Sequence, residues 1–171
     1  MANRVEHRGF TVLYDGSVNE LTVSIKILPI LTKNETFSSI PIDVEALWDT
    51  GATVTCMKST LWERLQINPF DTTGRIELAG VGGRVKTNYT IANLILTPNM
   101  IIEYCPIYVL DFPGDAEVLI GMDIMKMGDF AVCNANEKTS FSFVMPPFPD
   151  RINLAEKAET VNKLNFPANR A

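Results

Sequence analysis

The chain has one histidine, His7, in 171 residues. That scarcity removes the His-Glu-x-x-His zinc helix and leaves Ser-His-Asp or Cys-His chemistry with only one ring to draw on. His7 also stands in the charged start Met-Ala-Asn-Arg-Val-Glu-His-Arg, a segment expected to be mobile and so a poor general base. Cysteine is scarce as well. Cys56, Cys105 and Cys133 are odd in number, widely spaced and set in apolar surroundings, which predicts buried reduced thiols rather than a disulfide or zinc framework. No metal or cofactor is expected. Clustered positive charge is lacking: 15 Lys and Arg stand against 20 Asp and Glu, for a net charge of −5. Nucleic acid is therefore not an expected partner. No run reaches the roughly 18 apolar residues that span a membrane, and the start has no apolar signal core. The expectation is a soluble, cytoplasmic chain.

What is present is a hydrophobic fraction of 46%, enough for one sizeable core. Short β-branched and aromatic runs separated by Gly, Pro, Asn and Asp predict strands through most of the chain. They are expected at Phe10 to Tyr14, across the alternation Leu21, Val23, Ile25, Ile27, at Ile42 to Trp48 and at Val54 to Met57. Further strands are expected at Ile76 to Leu78, Val85 to Ile91, Leu94 to Leu96, Ile101 to Leu110 and Val118 to Ile120. A final hairpin, Phe130 to Cys133 with Ser140 to Met145, is expected to turn at Asn134-Ala135-Asn136. A helix is predicted after Ser59 or Thr60, with Glu63 closing a capping box, and a short one from Gly121 to about Met127 with Asp123 as its N-cap. Three segments follow: residues 1–20 as an N-terminal strand or arm, 21–149 as the main domain, and 150–171 as a polar appendage with a weak helix from Asn153 to Leu164. Pro146-Pro147-Phe148-Pro149 marks the last boundary, because successive prolines cannot continue a sheet ladder.

The triplet Asp49-Thr50-Gly51 follows the apolar run Ala46-Leu47-Trp48 and occurs once. A carboxylate in a tight turn can be held by backbone N–H groups, and glycine at the third position lets the chain fold closely enough to present it. As a bare tripeptide this is no more than a turn after a strand. Two other features stand in register with it: the glycine-rich Gly80-Val81-Gly82-Gly83 at a hairpin tip, and Val118-Leu119-Ile120-Gly121.

Together these segments resemble the retropepsins, the single-domain aspartic proteases of retroviruses and their cellular relatives. Leu47 to Ala52 is similar to their catalytic loop, Gly80 to Gly83 to their flap, and Val118 to Gly121 to the segment that crosses behind the active site. The resemblance runs from about Leu21 to Met145. It implies an all-β fold, a closed acid-protease barrel with one or two short helices, and a homodimer with one Asp49 from each subunit. The implied activity is aspartic endopeptidase action on an extended polypeptide substrate. Asp49, Thr50 and Gly51 then carry the catalysis. Ala52, Thr53, Gly80, Val81, Gly82, Gly83, Leu119 and Ile120 line the substrate. Two carboxyls about 3 Å apart share one proton, so the ionised member takes a proton from an attacking water while the protonated one supports the developing oxyanion.

Departures from the family pattern matter equally. Retroviral members commonly carry Arg after the glycine that matches Gly121 and an acidic residue four after the catalytic Asp; here Met122 and Thr53 stand there. With both halves of that ion pair absent, the dimer contacts must be organised differently, and cellular and bacterial relatives are the nearer comparison. Ala52 replaces the Ser usual in pepsin-like enzymes, which predicts a less acidic pH optimum than pepsin's. A retropepsin-like domain used for dimerisation or peptide binding, with little or no turnover, stays open as an alternative. In the tail, Leu164-Asn165-Phe166-Pro167 resembles the aromatic-Pro junctions that retroviral proteases cleave.

Overall fold

The computed structural model describes residues 5–30, 40–65, 74–80 and 83–165. Period-2 alternation decides most of its strands. In β2 (Thr22–Pro29) Val23, Ile25 and Ile27 are buried while Ser24 and Lys26 face outward, and in β3 (Ile42–Trp48) Val44, Ala46 and Trp48 are buried between Asp43 and Glu45. The remaining strands of this sheet are β4 (Cys56–Met57), β5 (Gly74–Gly80), β6 (Gly83–Thr97), β7 (Met100–Val109) and β8 (Val118–Ile120). Hydrogen bonding runs β2-β3-β8-β4-β7-β6, and β6 pairs back onto β2 through Ile27↔Leu94 and its neighbours. Six strands therefore close a barrel. β5 extends outside it as the outer arm of a hairpin on β6.

A second, three-stranded sheet has the order β1-β10-β9, from β1 (Arg8–Leu13), β9 (Asp129–Ala135) and β10 (Lys138–Met145). Its inner face carries Phe10, Phe141 and Phe143 against Trp48, with ring centroids 5.9, 5.0 and 4.9 Å from the indole. Burial of Phe141 and Phe143 contributes on the order of 1.5–3 kcal/mol each, so this aromatic layer welds the two sheets. Trp48 is buried with its Nε1 unpartnered, a local cost accepted for that packing.

Several expectations change in detail. The strands expected at Val85 to Ile91 and Leu94 to Leu96 are one long strand, β6, with a register shift between Ala92 and Leu94. Opposite it Tyr104 adopts φ 57°, and its N–H is taken up by Asn93 Oδ1 at 3.0 Å. Helix α1 (Ser59–Arg64) uses no capping box. Lys58 is its N-cap residue, and Asp111 Oδ1 from a distant loop accepts both the Ser59 N–H and its hydroxyl at 2.9 Å. The final hairpin turns at Asn136-Glu137, both at positive φ, rather than at Asn134 to Asn136.

His7 is not loose: its Nδ1 donates to the Pro146 carbonyl at 2.9 Å and its ring lies 4.8 Å from that of Phe148. Helices α2 (Met122–Met125) and α3 (Leu154–Asn165) bring the described helices to three, and α3 buries no side chain. None of the described helices is long and apolar enough to cross a membrane. Cys56 and Cys105 are buried as expected, but Cys133 is exposed on β9.

Candidate active site

Asp49 stands where β3 ends, and strand pairing builds its surroundings. Short β8 lies between the strand that enters the turn and the strand that leaves it: Leu47 and Cys56 both pair with Leu119, in parallel and antiparallel ladders. Backbone bonds then tie the turn to the end of β8. The Asp49 N–H donates to the Ile120 carbonyl at 3.0 Å, Met122 N–H donates to the Ala52 carbonyl at 2.8 Å, and Ala52 N–H closes the turn on the Asp49 carbonyl at 3.2 Å. Gly51 N–H donates to Asp49 Oδ1 at 2.7 Å, a charge-assisted bond that orients the carboxylate. Among the described residues it is the only hydrogen bond that the carboxylate accepts.

Gly121 is needed here for space, not for conformation. Its φ of −92° and ψ of −178° suit any residue, yet a Cβ would lie 2.5 Å from the Val54 carbonyl oxygen and 2.6 Å from its carbon. Only glycine lets β8 pass so close to the chain leaving the turn. Behind it sits a polar clamp. Thr55, fully buried, accepts the Gly121 N–H on Oγ1 at 3.1 Å and donates the hydroxyl to Asp123 Oδ1 at 2.7 Å. Asp123 Oδ2 accepts the Thr55 N–H at 2.9 Å, and Oδ1 also takes the Ile124 N–H. Asp123 is thus not the helix N-cap, a position occupied by Gly121; it is the second residue of α2 and the anchor of Thr55.

The expected site residues are distributed as follows. Asp49 is half-buried, Thr50, Gly51 and Thr53 are exposed, and Ala52 is half-buried, so the turn presents itself to solvent. Leu119 is half-buried, whereas the Ile120 side chain lies in the core and only its carbonyl meets the turn. Gly80 and Gly83 pair across the β5–β6 tip, with Gly83 at φ 107°; Val81 and Gly82 lie outside the described residues, as do Phe166 and Pro167. Thr55 and Asp123 were not among the expected site residues. A lone polar residue in the apolar run Val54-Thr55-Cys56-Met57 was the signal that a buried partner was needed.

Electrostatics near the clamp point to a dry interior. Burial pushes the Cys56 thiol up to about 11 and the Cys105 thiol up to about 12, with the Asp123 carboxylate adding to each. Both thiols stay protonated and poorly nucleophilic at neutral pH. Among the described residues no cluster of three or more His, Cys, Asp or Glu is placed to hold a metal.

The family model described as "gag-polyprotein putative aspartyl protease" matches residues 41–127, just over half of the 171-residue chain. The chain belongs to this aspartic protease family. The match takes in the Asp49 turn, the β5–β6 hairpin, β8 and α2. In fold the protease is similar to a retropepsin-like aspartic protease from Rickettsia conorii, at 8% identity and a TM-score of 0.50, covering 81% of this chain and 95% of that one. It is also matched to EIAV protease complexed with the inhibitor HBY-793, at 22% identity and a TM-score of 0.45, covering 67% and 91%. No curated protein matches it by sequence. The retropepsin-like barrel that the resemblance implies is thus the fold observed, with α1 and α2 as its two short helices and α3 in the C-terminal segment.

Proposed function

We propose that this protease is an aspartic endopeptidase acting as a homodimer, one Asp49 from each subunit activating a water to hydrolyse peptide bonds of an extended polypeptide. The observation that carries the reading is the Asp49 turn itself: a single carboxylate, oriented by Gly51 N–H and fixed to β8 by backbone bonds, on a chain with no second copy of the triplet. One such carboxylate cannot serve as both acid and base toward the same water, whereas two related by a twofold axis can. Asp49, Thr50 and Gly51 form the catalytic turn. Ala52, Thr53, Leu119 and the Gly80–Gly83 tip border the substrate, whose backbone can pair with the hairpin as an added strand, while Ile120, with its side chain in the core, supports the turn from behind through its carbonyl. Closure of that tip over the site would exclude water.

The test is digestion of a peptide library by wild type, by Asp49→Asn, and by wild type with a pepstatin-type inhibitor. Cleavage in the first arm alone is expected. Cleavage that survives Asp49→Asn would overturn the mechanism, and a folded wild type that binds peptides without cutting them would favour a binding domain.

A further inference from the structure

We propose that the β5–β6 hairpin selects acidic polypeptide: a strand added to the open edge of β5 is favoured when it carries Asp or Glu beside Arg75 and again four residues along, at the level of Arg84. The proposal rests on the reading that an extended substrate pairs with this hairpin, and it names the class of substrate that does so.

The first argument is segregation of charge. Register pairs Arg75 with Asn88, Glu77 with Lys86 and Ala79 with Arg84, so Arg75, Glu77, Arg84 and Lys86 share one face of the hairpin, while Ile76, Val85 and Thr87 hold the other. Along β6 the charged face continues, by alternation, into Thr90 and Ala92, both buried in the barrel. Four charges therefore stand on the side that turns inward.

The second argument is their lack of partners. All four residues are exposed, and among the described residues none of them takes part in an ion pair. Three basic groups against one acidic group leave the hairpin positive, on a chain whose net charge is −5. A surplus of this sign attracts acidic segments and repels basic ones.

The third argument is the open edge. β5 ends the order of its sheet, so its outer side can accept a further strand. Side chains of an added strand fall about 4.5–5.5 Å from those of β5 on the same face, where opposite charges stabilise the pairing and like charges oppose it. Glu77 lies across from Lys86 and offsets it. Arg75 and Arg84 remain, the second opposite Ala79 and so about 13 Å along the strand from the first. Arg84 stands one strand further back, about 9–10 Å from the added strand, a gap that arginine and glutamate side chains together span. The spacing asks for two acidic side chains four residues apart, with no call for acid between them.

The test takes one peptide that wild type cleaves or binds and scans Glu, Gln and Lys through its positions. It reads kcat and KM at low and high ionic strength for wild type, Arg75→Gln, Arg84→Gln and Lys138→Gln, the last a control on β10. Wild type and Lys138→Gln should favour Glu over Gln about threefold, through KM, at two positions four apart, and the preference should fade with salt. Arg75→Gln should remove it at one of these positions and Arg84→Gln at the other. Titration of the same peptides onto Asp49→Asn, followed by fluorescence anisotropy, reads the selection without turnover. Equal handling of Glu, Gln and Lys by wild type, or a preference that both Arg variants keep, would overturn the charge assignment and leave the peptidase reading intact. Displacement of a Glu peptide by an oligonucleotide of equal charge at lower concentration than by unlabelled peptide would overturn polypeptide as the partner. Peptides that bind Asp49→Asn with the expected preference, yet are cut by no form of the protein, would instead overturn the proposed function and leave the charge selection standing.

Discussion

Substituting Gly121 by Ala tests the packing of the Asp49 turn with little confounding from conformation. Backbone angles of −92° and −178° are open to alanine, so the variant has no torsional reason to fail. The added methyl, however, would meet the Val54 carbonyl oxygen at 2.5 Å, its carbon at 2.6 Å and its nitrogen at 2.9 Å. These are backbone atoms, which cannot rotate away as a side chain can. Relief requires β8 and the segment after Asp49 to separate. That strains the Gly121 N–H bond to Thr55 Oγ1, the Asp49 N–H bond to the Ile120 carbonyl and the Met122 N–H bond to the Ala52 carbonyl.

Overpacking costs about 1–3 kcal/mol, and weakening two of those hydrogen bonds adds about 1 kcal/mol each. Together these come to about 3–5 kcal/mol, and the lower figure alone corresponds to a fall in Tm of roughly 10 °C for a chain of this size. Cleavage should fall further than stability, by two orders of magnitude or so, because the displaced atoms position the carboxylate. Thermal unfolding by circular dichroism and turnover on a cleaved peptide, at equal protomer concentration, give both numbers. A Tm within about 2 °C of wild type with unchanged turnover would refute the reasoning.

Three further outcomes are expected. Thr55→Val keeps the shape but strands the buried Gly121 N–H and takes one of three hydrogen bonds from the Asp123 carboxylate, which keeps those from the backbone N–H groups of residue 55 and Ile124, so it should cost about 2–3 kcal/mol, while Thr55→Ser should retain most stability and activity; chemical denaturation compares them. Glu137→Gly should raise Tm by roughly 2–3 °C, since Glu137 sits at φ 61° and glycine relieves that strain at a smaller entropic cost; an unchanged or lower Tm would refute it. In the native protein at pH 8 only Cys133 should react rapidly with a thiol reagent, against three thiols in denaturant. Because the Cys56 and Cys105 thiols titrate near 11 and 12 in the fold but near 9.0 when unfolded, the unfolded chain loses these protons first. Stability should therefore fall as pH rises from about 9 to 12, and Cys105→Ala should flatten that slope.

How much was legible in the sequence follows from how local each cause is. The alternation in β2 and β3 and the short apolar β8 could be read directly, because each depends on residues a few positions apart. The Asp49 triplet with Leu119-Ile120-Gly121 pointed to the site through resemblance, and the barrel agrees. The clamp could not be read that way: Thr55 and Asp123 are joined by folding across 68 positions, and Asp123 looks like an ordinary helix cap until Thr55 arrives. The cap of α1 was hidden for the same reason, since Asp111 comes from another loop. At the last hairpin, Asn134-Ala135-Asn136 carried turn residues, but Thr139 bonds to Tyr14 and Gly16 fix the register and move the turn to Asn136-Glu137. Cys133 looked buried from its neighbours Val132 and Asn134, yet it stands exposed on β9, where six of the seven residues are exposed.

The arrangement separates two kinds of support for one site. Among the described residues, contacts from Gly51 and Ala52 to Ile120, Met122 and the Thr55–Asp123 pair behind them hold the Asp49 turn. On the proposed reading, association brings together two carboxylates that these bonds already hold, which limits its ordering cost. Damage to the clamp and dilution of the proposed dimer should accordingly leave different signatures. Gly121→Ala or Thr55→Val lowers stability at every protein concentration, because the lost contacts are intramolecular. Dilution acts through mass action, so its defect disappears as protomer concentration rises. Measuring cleavage against concentration for wild type and for both variants separates the chemistry of holding one Asp49 from the chemistry of pairing two.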